Sequence, residues 1–273
     1  MQSAPHPSTT PEPFAAVPTP LREAMVERGF TELTAVQLAV SAAVEPARDL
    51  RISSQTGSGK TVALGLALAP ALLSRDGARD RPGPSAVVVV PTRELAAQVT
   101  AELSWLFGRI RDVTVDCVTG GTHVGQERRR LARRPAVLVG TPGRLVDHLG
   151  SGALSVSGVG QLVLDEADQM LDMGFRDELE AILAAVPVDR RTHMLSATFP
   201  PGVRELADRF QVDPVHVEGT RLGAANTDIA HLGHVVRSND RYAALVNLLL
   251  LAGDDRTLVF VAKRSDAAEL AER

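Results

Sequence analysis

The sequence has 273 residues, of which 44% are hydrophobic and 23% charged; these are ordinary globular proportions that exclude a disordered or fibrous chain, and at ~150 residues per domain the length allows about two. Its 29 Lys+Arg against 33 Asp+Glu give a net charge of −4, which excludes a globally basic nucleic-acid binder and leaves any polyanion to a local patch. One cysteine, Cys117, excludes an intrachain disulfide and a cysteine-based zinc site, and points to a reducing, cytoplasmic setting.

Residues 1–13, MQSAPHPSTTPEP, are rich in Pro, Ser and Thr without apolar periodicity and read as a flexible tail. From Phe14 onward short apolar runs alternate with helical patterns. Strands are predicted at Asp49–Ser54, Ala86–Pro91, Val113–Thr119, Ala136–Gly140, Gln161–Asp165 and His193–Ala197, and helices at Gly59–Ser74, Arg93–Phe107, Gly125–Arg134, Phe175–Val186 and Gly202–Phe210. Runs such as AVVVV and AVLVG are apolar on both faces, which suits a parallel sheet with helices on both faces. The expected fold is therefore α/β, built from successive βα units over residues 14–211. The most apolar stretch, Val62 to Leu73, contains Gly65 and Pro70 and falls short of the ~20 residues that span a bilayer. The N-terminus has no charged start with an apolar centre, so neither export nor a membrane is indicated.

Residues 212–239 read as a linker carrying two strand-like pieces, Val215–Glu218 and Gly233–Val236, around the polar stretch GTRLGAANTD. Over 240–273 a helix, Asp240–Leu251, and a strand, Thr257–Ala262, open a second α/β unit that is incomplete at Arg273.

Residues 54–61, SQTGSGKT, lie between a predicted strand and a predicted helix. In that setting glycines let backbone N–H groups turn toward phosphates, and the helix N-terminus adds its positive dipole end. The loop residues Ser54, Gln55, Thr56, Gly57, Ser58, Gly59, Lys60 and Thr61 are candidate ligands of a nucleoside triphosphate. Lys60 reaches the β- and γ-phosphates in this reading, and the Thr61 hydroxyl binds Mg²⁺. VLDEAD, at 163–168, supplies a partner carboxylate at the C-terminal end of another buried strand, where open parallel sheets form their ligand crevice. Asp165 is the candidate metal ligand through water, and Glu166 orients the attacking water.

With Asp165-Glu166-Ala167-Asp168 in view, the sequence resembles the DEAD-box ATP-dependent RNA helicases over residues 14 to about 263. GFTELTAVQ at 29–37 is similar to the family's Q motif and PTRELAAQ at 91–98 to motif Ia. Gly120-Gly121 matches its GG element, TPGRL at 141–145 motif Ib, SAT at 196–198 motif III, and TLVFVAKR at 257–264 the strand of motif IV. The resemblance implies a RecA-like P-loop domain followed by the start of a second. It implies ATP and Mg²⁺ as cofactors and RNA as partner, held by its backbone with little sequence specificity. Gln37, whose amide both donates and accepts, matches the residue that selects ATP, with Phe30 and Phe14 as aromatic packing for the base. Pro91, Thr92, Arg93, Gly120, Gly121, Thr141, Pro142, Gly143 and Arg144 match positions that touch RNA, a pattern suited to backbone tracking. Ser196 and Thr198 match the element coupling nucleotide state to strand separation, and Asp168 a residue that bonds across the cleft to the second domain.

Several positions depart from the family pattern. Ser54 stands where alanine is commoner. Leu33 and Ala35 replace the usual prolines, so the loop presenting Gln37 is expected to be less rigid. Phe14 lies closer to Gly29 than the family spacing. Motifs V and VI, with their arginine fingers, have no counterpart before Arg273, so a fragment or a truncation with little turnover is expected; a non-catalytic ATP- and RNA-binding module is the alternative. A DNA helicase of the same superfamily is disfavoured by the Q motif. Arg128, Arg129, Arg130, Arg133 and Arg134 read as a solvated helix face, with added attraction for RNA as the alternative. His231 and His234 lack a third ligand at metal spacing, and Trp105 reads as core beside Leu103 and Leu106.

Overall fold

A computed structural model describes residues 14–43, 48–54, 57–74, 82–219, 229–230 and 232–272. The expected tail, Gln55, Thr56, most of the GTRLGAANTD stretch and His231 lie outside the described residues. Chain contacts divide the molecule into two units, residues 1–224 and 225–273.

The first unit is built on seven parallel strands: β1 (Leu50–Ser53), β2 (Ala86–Val89), β3 (Val115–Val118), β4 (Val137–Gly140), β5 (Gln161–Asp165), β6 (Arg191–Ser196) and β7 (Val215–Glu218). Their order across the sheet is β3-β4-β2-β5-β6-β1-β7. All six expected strands of the 14–211 region form, within one or two residues of their expected ends. The strand-like piece at 215–218 pairs with β1, Leu50 opposite Val215, so the sheet extends into the stretch expected to be linker.

Burial on both sides is visible residue by residue. Along β2, Ala86 and Val88 belong to one hydrophobic core and Val87 and Val89 to the other. The same period-two alternation divides β4 (Val137 and Val139 against Leu138) and β5 (Val163 against Leu162 and Leu164). One face is covered by α1 (Thr19–Glu27), α2 (Ala35–Ala43), α3 (Lys60–Leu73) and α4 (Arg93–Leu106). The other is covered by α5 (Val124–Ala132), α6 (Pro142–Gly150), α7 (Ala167–Asp172), α8 (Arg176–Ala185) and α9 (Pro201–Phe210). Buried Asp49 ties the sheet together just before β1: one carboxylate oxygen accepts the Thr192 N–H at 2.9 Å and the other the Val212 N–H at 2.7 Å.

The second unit contains a short 3-10 turn (Ser238–Asp240), α10 (Arg241–Ala252) and α11 (Arg264–Glu272). Helix 240–251 agrees with expectation, but the strands expected at Gly233–Val236 and Thr257–Ala262 do not form among the described residues. A strand needs a partner for its N–H and C=O groups, and this unit presents no strand to supply one; Leu258 and Phe260 are accordingly exposed. No helix among the described residues is long and apolar enough to cross a membrane.

Candidate functional site

Because all seven strands run parallel, every loop that follows a strand emerges at the same sheet edge. That places the segments after β1, β2, β3, β4, β5 and β6, which carry the sequence motifs, side by side.

After β1 the described part of the phosphate loop turns into α3. Gly59, at φ +87°, sits in the left-handed region, and a Cβ there would collide with the Gln37 amide. The Ser54 hydroxyl bonds the Ser58 hydroxyl at 2.6 Å, so the residue that departs from the family pattern closes the loop upon itself. Lys60, the first residue of α3, is buried; its Nζ has no hydrogen-bond partner among the described residues and lies 3.9 Å from Glu166 Oε1. Opposite it, at the end of β5, Asp165 is 3% exposed and its Oδ1 is likewise unpartnered. Burial pushes the Asp165 carboxyl up to about 6, against the pull of the Lys60 charge. Glu166 holds a left-handed backbone, φ 55°, at the start of α7, strain of the kind that folds retain at working sites.

These groups line a cavity of about 290 Å³ with Gly57, Gly59 and Thr61, joined by Leu95, Gln98 and Glu102 of α4. Leu95 and Gln98 fall within the PTRELAAQ stretch but were not singled out as site residues, and nothing local marks Glu102. The donor set fits a magnesium-bound phosphate: an orphaned ammonium for phosphate oxygens, and a hydroxyl and a carboxylate of the hard-oxygen type that Mg²⁺ takes. A larger cavity, about 350 Å³, opens at the opposite strand ends beside Leu50, Gln161, Arg191 and His193. It holds none of the expected site residues, and the buried orphaned atoms decide between the two.

Gln37 is buried and pinned: its Oε1 accepts the Thr34 N–H at 3.0 Å and its Nε2 donates to the Gly59 carbonyl at 3.2 Å. At the two positions where the family has prolines, Leu33 packs in the core and Ala35 opens α2. Phe14 is a core residue. Phe30 packs on Trp105 with ring centroids 5.8 Å apart, and the half-buried Trp105 in turn carries the Arg28 guanidinium at 5.0 Å.

A second depression, about 570 Å³, runs past the ends of β2, β3 and β4 and is lined by Pro91, Thr92, Arg93, Gly120, Thr141, Gly143 and Arg144. Two helices begin there. Thr92 caps α4 by accepting the Leu95 N–H at 3.2 Å, and Thr141 precedes α6. Helix N-termini offer free N–H groups and a positive dipole end to anions. The Arg93 guanidinium lies over Gly121, φ +82°, where any Cβ would strike it. Pro142 is buried as the first residue of α6 and lines no part of this groove. Glu94, Asp147, Met173 and Phe175 complete the lining and were not singled out in the sequence.

Beside the phosphate cavity, Asp168 accepts the Thr198 N–H at 3.0 Å and its hydroxyl at 2.7 Å, while the Asp168 N–H donates to Ser196 Oγ at 3.2 Å. Burial alone would raise the Asp168 carboxyl; these hydrogen bonds outweigh it and hold the group below the ordinary range. The three expected coupling residues are thus bonded to one another.

Residues 34–206 match the DEAD/DEAH box helicase family. The chain belongs to that family. Relatives of this DEAD-box chain include the ATP-dependent RNA helicase DbpA of Bacillus subtilis, 34% identical over 89% of this chain and 50% of its own length. The DEAD-box ATP-dependent RNA helicase CshA of Geobacillus kaustophilus is 36% identical over 92% of this chain and 52% of its own. The chain therefore spans about half the length of these curated relatives. The crystal structure of a DEAD box protein from the hyperthermophile Methanococcus jannaschii superposes with a TM-score of 0.69 at 30% identity, covering 94% of this chain and 67% of that one. The seven-stranded parallel sheet is thus a RecA-like DEAD-box domain.

Proposed function

We propose that this chain binds Mg²⁺-ATP in the cavity between residues 54–61 and 165–166, and RNA along the groove over α4 and α6. The protein to which it belongs would then use ATP hydrolysis to remodel short RNA duplexes in the cytoplasm. The observation that carries the reading is the pair of buried groups, Lys60 Nζ and Asp165 Oδ1, each without a hydrogen-bond partner in one cavity. Such groups cost free energy unless a ligand completes them.

A magnesium ion held by Thr61 and Asp165 would supply neutralisation of phosphate charge. Lys60 holds phosphate oxygens, Thr61 and Asp165 hold the metal, and Glu166 orients a water. Gln37 and Phe30 are assigned to the base by their match to the Q motif. Asp168, Ser196 and Thr198 link this site to strand separation. In the groove, Thr92, Arg93, Gly120, Thr141, Gly143 and Arg144 hold phosphates through backbone N–H groups and two guanidinium ions, with Pro91 shaping the wall and Gly121 backing the Arg93 guanidinium, a mode without base readout. Contacts to 2′-hydroxyls give RNA its advantage over DNA.

Calorimetric titration with Mg²⁺-ATP tests the reading. A charged hydrogen bond is worth about 1.5–3 kcal/mol, so Lys60→Ala is expected to weaken binding roughly 10- to 150-fold. Glu166→Gln is expected to keep binding and lose any RNA-stimulated phosphate release. A Lys60→Ala protein that binds as tightly as its parent overturns the proposal.

A further inference from the structure

Glu127 lies on α5, within the arginine-rich stretch, and is fully buried. A buried carboxylate is tolerated only when paired and hydrogen-bonded, and here four donors converge on it. Oε1 accepts the Thr119 N–H at 2.8 Å and the Thr122 hydroxyl. Oε2 accepts Arg144 Nη1 at 3.0 Å and His148 Nε2 at 2.8 Å, which makes Nε2 the protonated nitrogen of that ring. Burial would raise the Glu127 carboxyl, but the bonds from Thr122, His148 and Thr119 and the Arg144 charge hold it below its ordinary range.

The two oxygens serve two different segments. Oε1 grips the turn that contains Gly120 and Gly121. Oε2 grips the first turns of α6, where Arg144 and His148 are four residues apart and share a face. Both segments line or flank the proposed RNA groove, and Glu127 and His148, each at most 1% exposed, lie behind it out of reach of any ligand. Arg144 has one Nη committed to Glu127 and a side chain 11% exposed. A guanidinium has five N–H donors in a rigid fork, so donors remain for a phosphate. Holding an arginine in one rotamer before binding removes the ordering cost that a free side chain incurs.

We infer that Glu127, supported by His148, is a positioning residue for RNA binding: it fixes Arg144 and the Gly120–Gly121 turn in one arrangement that receives RNA backbone phosphates. The inference rests on the RNA reading above and is tested so that the two fail differently. In the 273-residue chain, affinity for a fluorescein-labelled single-stranded RNA decamer is measured for the parent, Arg144→Ala, Glu127→Gln and the double variant. Mg²⁺-ATP affinity and the melting temperature are measured alongside.

Arg144→Ala is expected to weaken RNA binding about tenfold. Glu127→Gln is expected to weaken it three- to tenfold while Mg²⁺-ATP affinity stays within twofold. In the Arg144→Ala background Glu127→Gln should cost less than it does in the parent, because of its two grips only the one on the Gly120–Gly121 turn is left to lose. A merely structural role would instead lower RNA and nucleotide affinity together, or leave the two RNA effects additive, and either result overturns the inference. So does parental RNA affinity in Glu127→Gln while Arg144→Ala is weakened. If Arg144→Ala itself binds RNA like the parent, the RNA reading of the groove falls. Should Glu127→Gln fail to fold, His148→Gln replaces it under the same criteria, and parental RNA affinity in that variant also overturns the inference.

Discussion

At Asp165 a single carboxyl sets folding and function against each other. Burial raises its pKa in the folded chain from 3.8 to about 6, with Glu166 and Asp168 adding in the same direction and Lys60 opposing. A group whose folded pKa is raised binds its proton more tightly in the folded state, so stability declines as pH climbs from about 4 through 6 and stays lower above that. A shift of this size corresponds to about 3 kcal/mol. In the proposed function, a magnesium-bound phosphate beside Lys60 would offset this cost on binding. Asp165→Asn removes the titration. Without nucleotide it is expected to be more stable than the parent at pH 8, by up to about 3 kcal/mol, and nearly equal to it at pH 4, while losing Mg²⁺-ATP affinity. Urea unfolding at the two pH values checks this; a gain that is absent, or the same at both, contradicts the assignment of burial as the cause.

Between elements, the approach of α3 to α4 decides how firmly the phosphate loop is mounted. Gly65 sits where a Cβ would collide with Leu106 Cδ2 and stand 3.3 Å from Leu103 Cδ2. Replacing a helical glycine by alanine gains roughly 1 kcal/mol of helix propensity, whereas overpacking a filled core costs about 1–3 kcal/mol. The second effect wins where a collision with buried side chains must be relieved. Gly65→Ala is expected to lower the melting temperature by a few degrees in calorimetry, since about 1 kcal/mol shifts a domain of this size by ~2–4 °C; a rise would show that the two helices are not in close contact. The same packing explains what was legible in the sequence. Strands such as AVVV announce themselves because both faces are buried. Helix α6 did not, because Pro142-Gly143 reads as a turn, although proline at a first helical position is well suited to start one. Helix α7, with six residues, is too short to show a period. The run 257–262 has strand composition without a strand partner in its unit. At the site, the turn between β1 and α3 was legible because its left-handed positions, Gly57 and Gly59, demand glycine locally. Glu102, Glu127, Met173 and Phe175 reach their places only through parallel crossovers, and the one local sign of Glu127 is a single acid inside a run of arginines.

Over the whole molecule, a net charge of −4 has to be reconciled with the polyanionic partner proposed above. The groove contributes Arg93 and Arg144, and it also contains Glu94 and Asp147. The arginines of α5 and of the two residues that follow it are a separate reservoir: Arg130 lies 3.9 Å from Asp116 and donates to the Cys117 carbonyl, whereas Arg128, Arg129, Arg133 and Arg134 are exposed. The two possibilities differ in salt dependence. For single strands log K falls with log salt at about 0.7 per neutralised phosphate. Two guanidinium contacts therefore predict a loss of about sevenfold between 50 and 200 mM salt, and six predict about 300-fold. In the proposed mode backbone N–H groups and two helix N-termini would do much of the holding in the groove, so the smaller loss is expected for this chain. Anisotropy titrations of a labelled single-stranded RNA across that salt range, on the parent and on a variant with Arg128, Arg129, Arg133 and Arg134 changed to glutamine, read it directly. A steep slope in the parent that flattens in the variant would assign the α5 arginines to the RNA track and remove them from the class of merely solvated charges.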